Sequence, residues 1–394
     1  MAHSFFSRLL THFFSFFIYT CKSCIFILFL ILNIGFSQIE THKGDRIVRD
    51  GVNAFYNYEY DSSLKLLSHA RQEHPEHPGV HFIWAAASWT KSLAFDPVDT
   101  TQKVLESVLD EIIPIYNRLV EKYPHDPYYQ LYQGSAIGLT ARVTLAQKRW
   151  LATLVRAYRG FVIISDVTNQ NPDLLDGRLP MGIVQYYSGM SNTILQWAVK
   201  LYGFNASKEA GLNEMILAAE NSDWAWVEAS GILSFLYLWV EDDPILAGKY
   251  ARKVVEKYPN NFYYHVMLLE ATIKIGQLDL AGKIIDNLIL KTEKLTYRQK
   301  EWYLPYLEYE KALYSFQKQE YNAALNYVQN SINNYTGELD VILGFAYLLE
   351  GQIKDLTGDR SGAKKSYKAC LQLNNFSSAM ESAQHFLSKP FFVQ

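Results

Sequence analysis

The chain has 394 residues, 49% of them hydrophobic and 20% charged, with a formal net charge of −3 at pH 7. This is a globular composition with material for a large core. A mildly acidic balance without basic clusters gives no support for nucleic-acid binding, and three cysteines, two of them near the N-terminus, leave no disulfide framework. The 28 Tyr, 22 Phe and 8 Trp against 21 Gly and 12 Pro favour helices packed on helices over a turn-rich β fold.

Residues 24–36 are an unbroken apolar or small run apart from Asn33, Lys22 stands before it, and Gly35 and Ser37 place small residues where a signal peptidase reads. The pattern predicts an export signal over 1–37, cleaved before Gln38, and hence a periplasmic or cell-envelope protein. The rival reading is an uncleaved anchor at residues 24–36 that would associate the chain with a membrane. Against it, the run is short for a helix that needs about 20 apolar residues to span a bilayer. Removing 1–37 takes away Cys21 and Cys24 and leaves Cys370 alone.

The elements follow in order. Residues 46–57 carry apolar side chains at Ile47, Val48, Val52, Phe55 and Tyr56, three- and four-residue spacings that predict a helix. A second helix begins at Tyr60-Asp61, with Leu64, Leu66, Leu67 and Ala70 on its apolar side, and His74-Pro75 ends it because proline cannot continue a helix. Closing prolines recur at 124 and 172, so long helices are expected over 101–123, 128–147 and 150–168. Residues 174–180 read as a loop, 181–202 as an apolar helix with Tyr186, Tyr187 and Trp197, and 206–220 as another helix with Asn205 or Ser207 as N-cap. Hairpins follow over 226–258, 262–290, 297–333 and 339–373, and a capping helix over 377–387.

In the hairpins at 226–258 and 262–290 the small residue of the second helix is Ala247 and Ala281, 34 residues apart. With Gly51, Ala70 and Pro75 in the first hairpin and Gly351, Ala363, Tyr367 and Cys370 in the last, these are the Gly, small, aromatic and Pro positions of the tetratricopeptide repeat, which the chain resembles. The resemblance implies an all-α fold of helical-hairpin repeats forming a right-handed α-solenoid, with longer irregular helices in the N-terminal half. The expected organisation is N-terminal long-helix repeats over 38–172, an irregular helical insertion over 173–222, a repeat array over 223–376, and a cap and tail over 377–394. The middle, with Gly182, Tyr186-Tyr187, Lys200-Leu201-Tyr202-Gly203-Phe204, Ala210-Gly211-Leu212 and Lys257-Tyr258-Pro259, is similar to the inclusion-body-clearance family of tetratricopeptide proteins. That likeness implies an all-helical adaptor without enzymatic activity.

Catalytic patterns are weak. His69, His74, His77 and His81 crowd one stretch, but Pro75 and Pro78 interrupt it and no ligand set of recognisable spacing completes it, so it reads as inter-repeat loop. The segment 358–366 lacks the glycine spacing and preceding strand of a phosphate loop. Asp173 and Asp176-Gly177 lack the later oxygen ligands of a calcium loop, and with Glu241-Asp242-Asp243-Pro244 read as solvated helix caps. No cofactor, metal or catalytic residue is expected.

What remains is the groove. In a tetratricopeptide array the first helix of each hairpin lines the concave face, and the family's ligand-facing positions fall on Tyr263, Val266, Glu270, Ile273 and Lys274. The next repeat places Tyr306, Tyr309, Leu313, Phe316 and Gln317 there, and the last places Phe345, Leu348, Gln352, Asp355 and Leu356. The carry-over nominates Tyr263, Glu270, Lys274, Tyr306, Tyr309, Gln317 and Gln352 as partner contacts. The lysine and asparagine clamps for a partner's C-terminal carboxylate are missing. An aromatic, weakly charged groove suits an apolar protein or peptide segment. The expected function is an exported, non-enzymatic scaffold with a protein or peptide partner. A carrier for a lipid or other apolar ligand, using residues 181–201, is the alternative, and a hydrolase ranks below it.

Overall fold

A computed structural model describes residues 41–146, 149–190, 207–337, 340–375 and 377–392. The expected export signal, and the part of the middle helix that holds Trp197 and the segment 200–204, lie outside the described residues. The chain divides into two compact units, Met1–Ser230 and Gly231–Gln394, and the division falls within the helix Trp226–Trp239.

In the first unit α1 (Asp45–Tyr56) and α2 (Tyr60–Glu73) form the first hairpin, followed by α3 (Val80–Phe95), α4 (Val98–Lys122), α5 (Pro127–Ala146) and α6 (Trp150–Gln170). A 3₁₀ turn (Leu175–Gly177) leads into α7 (Arg178–Gly189), and α8 (Lys208–Asn221) follows. The expected loop over 174–180 is thus shorter. Helix α7 starts at Arg178 and takes Pro180 into its first turn, where a missing N–H leaves no hydrogen bond unmade. Ser207 caps α8 by accepting from the Ala210 amide at 3.1 Å. The long helices α5 and α6 cross on glycines: a Cβ on Gly160 would sit 2.5 Å from the Gly134 carbonyl and from the Gly138 backbone. Helices α7 and α8 do the same, where a Cβ on Gly211 would meet the Tyr186 amide at 2.4 Å and the Gly182 carbonyl at 2.6 Å. Leu131, Ile164, Val167 and Leu174 form a buried cluster between α5, α6 and the 3₁₀ turn, with Tyr128 packed on it.

Helix α9 (Trp226–Trp239) leads to α10 (Pro244–Lys257), α11 (Phe262–Lys274), α12 (Leu278–Thr292), α13 (Tyr297–Gln317), α14 (Tyr321–Asn333), α15 (Val341–Leu356), α16 (Arg360–Leu373) and the capping α17 (Ser378–Ser388). Ala70, Ala247, Ala281, Ala324 and Ala363, the small position of each second helix, are fully buried. The glycine and its large neighbour also meet as the repeat requires. A Cβ on Gly51 would lie 2.6 Å from Leu67, and one on Gly351 would lie 2.3 Å from the Tyr367 ring.

The backbone carries a repeat signature that composition does not reveal. Two residues before each of the second helices α2, α10, α12, α14 and α16 stands a residue of positive φ: Tyr58 (64°), Asp242 (54°), Gly276 (78°), Gln319 (62°) and Gly358 (88°). In four of the five turns the next amide closes back five residues, from Glu59 to the Ala54 carbonyl, Gln277 to Thr272, Glu320 to Ser315 and Asp359 to Lys354. This left-handed stop turns the chain so that the second helix packs back on the first. The fold is all-α, built of tetratricopeptide-like hairpins.

Candidate functional site

The first helices α11, α13 and α15 of the second unit carry the nominated contacts. Tyrosines run along them. The Tyr263 ring lies 6.3 Å from Tyr303 and 6.4 Å from Tyr306, and Tyr306 stacks on Tyr335 at 6.0 Å and 18°. Tyr303 in turn sits between Tyr263 and Phe262, which stacks on it at 5.4 Å. These four tyrosines are half-buried, so each keeps part of its side chain at the surface. Burial pushes the Tyr263, Tyr306 and Tyr335 phenols up, Tyr306 to about 12, and all three stay neutral at physiological pH.

The other nominated residues divide. Lys274 is half-buried. It donates to the Leu238 carbonyl at 3.2 Å, lies 3.5 Å from Asp242 and 3.3 Å from Glu270, and stands 4.8 Å over the Phe345 ring. Gln317 is exposed at the end of α13, and Gln352 is half-buried on α15. Glu270 and Tyr309, in contrast, are 0% and 2% exposed. The repeat frame puts them on the first helices, but their side chains turn inward toward Trp239 and each other and are closed off from solvent. Glu270 accepts from Trp239 Nε1 at 2.6 Å, and its carboxyl is within hydrogen-bond reach of the Tyr309 hydroxyl. As the structure stands, they are internal ties below the groove surface and not contacts on it.

Sequence reasoning passed over Tyr303 and Tyr335, and also Glu310, which is 0% exposed beside Glu270. The signal for Glu310 was available: it lies three residues from both Leu307 and Leu313 on an otherwise apolar stripe.

A second polar cluster lies in the first unit. His77 lies in the connection between α2 and α3, as expected, whereas His81 falls in the first turn of α3, and both rings are bonded. His77, buried between Asp45 and Trp224, bonds Asp45 through Nε2 at 2.8 Å, while His81 bonds the Pro75 carbonyl at 2.8 Å and accepts from Arg71 at 3.0 Å. Burial lowers both rings, His81 to about 4, so they are neutral. Asp176 is not a solvated cap. It is buried, accepts from the Trp224 and Ala225 amides at 2.7 Å each and from the Tyr128 hydroxyl at 3.2 Å, and burial raises it to about 6. Arg49 forks onto Asp223 at 3.0 and 2.6 Å beneath the Trp224 ring, and His42 pairs with Asp126 at 2.7 Å. Among the described residues no group of three or more His, Cys, Asp or Glu is placed to hold a metal ion. The expected cap at Asp243 is present, accepting from Ile245 and Leu246.

No family model matches the chain, and no curated protein does, so the likeness of the middle segment to the inclusion-body-clearance family rests on its residues alone. Solved structures similar to it include NprR in complex with its cognate peptide NprX, at 11% identity over 88% of this chain and 82% of that one, with a TM-score of 0.40. A tetratricopeptide repeat protein from Parabacteroides merdae has 10% identity over 88% and 97%, with a TM-score of 0.30. Yeast Tom70 has 11% identity over 88% and 96%, with a TM-score of 0.24. The repeat assignment for this chain stands on its own buried alanines, glycine crossings and left-handed turns.

Proposed function

We propose that the protein is a non-enzymatic helical-repeat scaffold that binds a protein or peptide segment on the first-helix face of its second unit. The observation that carries this reading is the run of half-buried tyrosines, Tyr263, Tyr303, Tyr306 and Tyr335, continuous across two successive hairpins. Tyrosine offers large contact area with little rotamer entropy to lose, and it dominates binding hot spots. Lys274, Gln317 and Gln352 supply polar contacts around it. Two of the seven nominated residues, Glu270 and Tyr309, support the face from below. Export through residues 1–37 belongs to the same proposal and would place the partner in the cell envelope. The apolar-carrier alternative depends on residues 181–201, most of which lie outside the described residues.

The test is site-specific photo-crosslinking. A photoreactive residue at Gln317 is expected to capture a discrete partner, and one at Lys283, exposed on α12, is not. Tyr306→Ala should weaken capture about tenfold or more, in line with the loss of one aromatic anchor worth about 1–2 kcal/mol. Equal capture from both positions, or capture indifferent to Tyr306→Ala, overturns the reading.

A further inference from the structure

Beneath the tyrosines lie two acids whose arrangement needs an explanation of its own. Glu270 on α11 and Glu310 on α13 are both completely buried, and the Glu310 carboxyl reaches that of Glu270. Their four oxygens are unequally served. Glu270 Oε2 accepts from Trp239 Nε1 and Oε1 pairs with the Lys274 ammonium at 3.3 Å, but neither oxygen of Glu310 has a hydrogen-bond donor among the described residues. A buried acceptor without a donor is costly, and two adjacent buried carboxylates repel as well. A single proton between the two acids ends the repulsion and turns one orphaned Glu310 oxygen into a donor to Glu270.

We propose that Glu270 and Glu310 form a buried proton-binding site, a carboxylic acid–carboxylate pair that holds one proton at neutral pH with Glu310 as the acid. The charge then closes: one net negative charge on the pair faces the Lys274 ammonium. The surroundings offer nothing else that would ionise Glu310. From α11 the titratable groups are Glu270, Lys274, Tyr263, Tyr264 and His265, whose ring is bonded to the Asn261 carbonyl, and the turn after α9 adds Asp242. Tyr309 is its neighbour on α13. Helix α14 has no charged residue. The charges of α12 at Asp279, Lys283 and Asp286 are exposed, and its Lys291 is tied to the Pro259 carbonyl. Helix α15 carries Glu350 and Lys354, already paired at 2.8 Å, and Asp355, paired with Arg360 at 2.9 Å. Burial, then the Glu270 charge and the bond to Glu270, push the Glu310 carboxyl well above the ordinary range, which agrees with the geometry.

The sign follows from proton linkage. A group that titrates higher in the folded than in the unfolded chain stabilises fully below its unfolded value, and that stability is lost as pH rises through the folded value. The second unit should therefore be progressively less stable from about pH 4.5 upward, as the unfolded glutamate ionises and the folded one does not. Loss of the proton would set two negative charges against one ammonium directly under the tyrosine face, so the site makes that face sensitive to alkaline conditions.

The experiment compares the full chain with Glu310→Gln, whose amide can donate to Glu270 as the acid does. At about pH 8 the variant should melt at a higher Tm than wild type, and at about pH 4.5, near the ordinary value for glutamate, the two should coincide. Infrared spectroscopy should show a protonated carboxyl stretch in the wild type at neutral pH that Glu310→Gln abolishes and a chelator leaves unchanged. Should that variant fail to fold, Glu270→Gln serves in its place and should shrink the same pH-dependent difference. The proposal is overturned if no protonated carboxyl band is present at neutral pH, if the band responds to chelator, or if the variant is less stable than wild type at about pH 8.

Discussion

At the scale of single residues, the first unit holds two buried groups whose titrations oppose one another. His81 is lowered by burial to about 4, so its neutral form supports the fold above the ordinary histidine value near 6.5, and that support drains away as pH falls toward 4. Asp176 is raised by burial to about 6, so its contribution has the reverse sign: present below the ordinary aspartate value near 4 and lost as pH rises through 6. Each shift corresponds to about 3 kcal/mol, and the two nearly cancel between about pH 4 and 6. Asp176→Asn keeps the oxygen that accepts from Trp224 and Ala225 and removes the titration. The expected outcome is a first unit that matches wild type near pH 4 and is more stable than wild type at about pH 7, with a urea midpoint that falls steeply below about pH 6, where nothing now opposes the His81 titration. Asp176→Ala strands both amides and should be less stable than Asp176→Asn by about 3 kcal/mol at any pH, since neither variant titrates there. None of this was legible from residue type. The motif Asp-Gly suggested a turn, and only the fold reveals that the turn is buried against a segment 48 residues away.

Among elements, the left-handed turns and the proline in α13 give the clearest tests. Gln319 occupies a positive-φ position that Gly276 and Gly358 fill without a Cβ penalty. Gln319→Gly should raise stability by up to about 1 kcal/mol, measured by chemical denaturation, because the steric cost of the left-handed conformation disappears. Pro305 lies inside α13 and cannot donate to the Glu301 carbonyl one turn back; Thr336 Oγ1 takes that place at 2.7 Å. A double-mutant cycle should show it. Thr336→Val costs about 0.5–1 kcal/mol alone and close to nothing once Pro305→Ala restores the helical donor. The element boundaries were largely legible, since period and closing prolines locate α1, α2, α4, α5, α6 and the hairpins of the second unit. Helix α3 was passed over because its run from Val80 to Phe95 is apolar nearly all round and shows no periodic stripe. The close crossing of α5 on α6 depends on Gly134, Gly138 and Gly160 meeting in space, and the expected repeat pattern has no position for them.

For the molecule as a whole, the repeat type could be read from sequence and the exposure of the proposed binding face only in part. The frame correctly put Tyr263, Lys274, Tyr306, Gln317 and Gln352 on first helices, but helix position does not settle exposure, and Glu270 and Tyr309 went inward. A repeat array is held mostly by contacts between neighbours, and it can fold from one end as it is made. The Arg49–Asp223 pair departs from that rule, joining residues 174 apart within the first unit. At a synthesis rate of about 5–20 residues per second, roughly 10–35 s separate the emergence of the arginine from that of its aspartate. For that interval the first hairpin carries a guanidinium whose fork has no Asp223 to meet, with only the Asp45 carboxylate, 4.0 Å away one turn back, beside it. The oldest repeat of the growing chain is the one that must wait longest for its last partner.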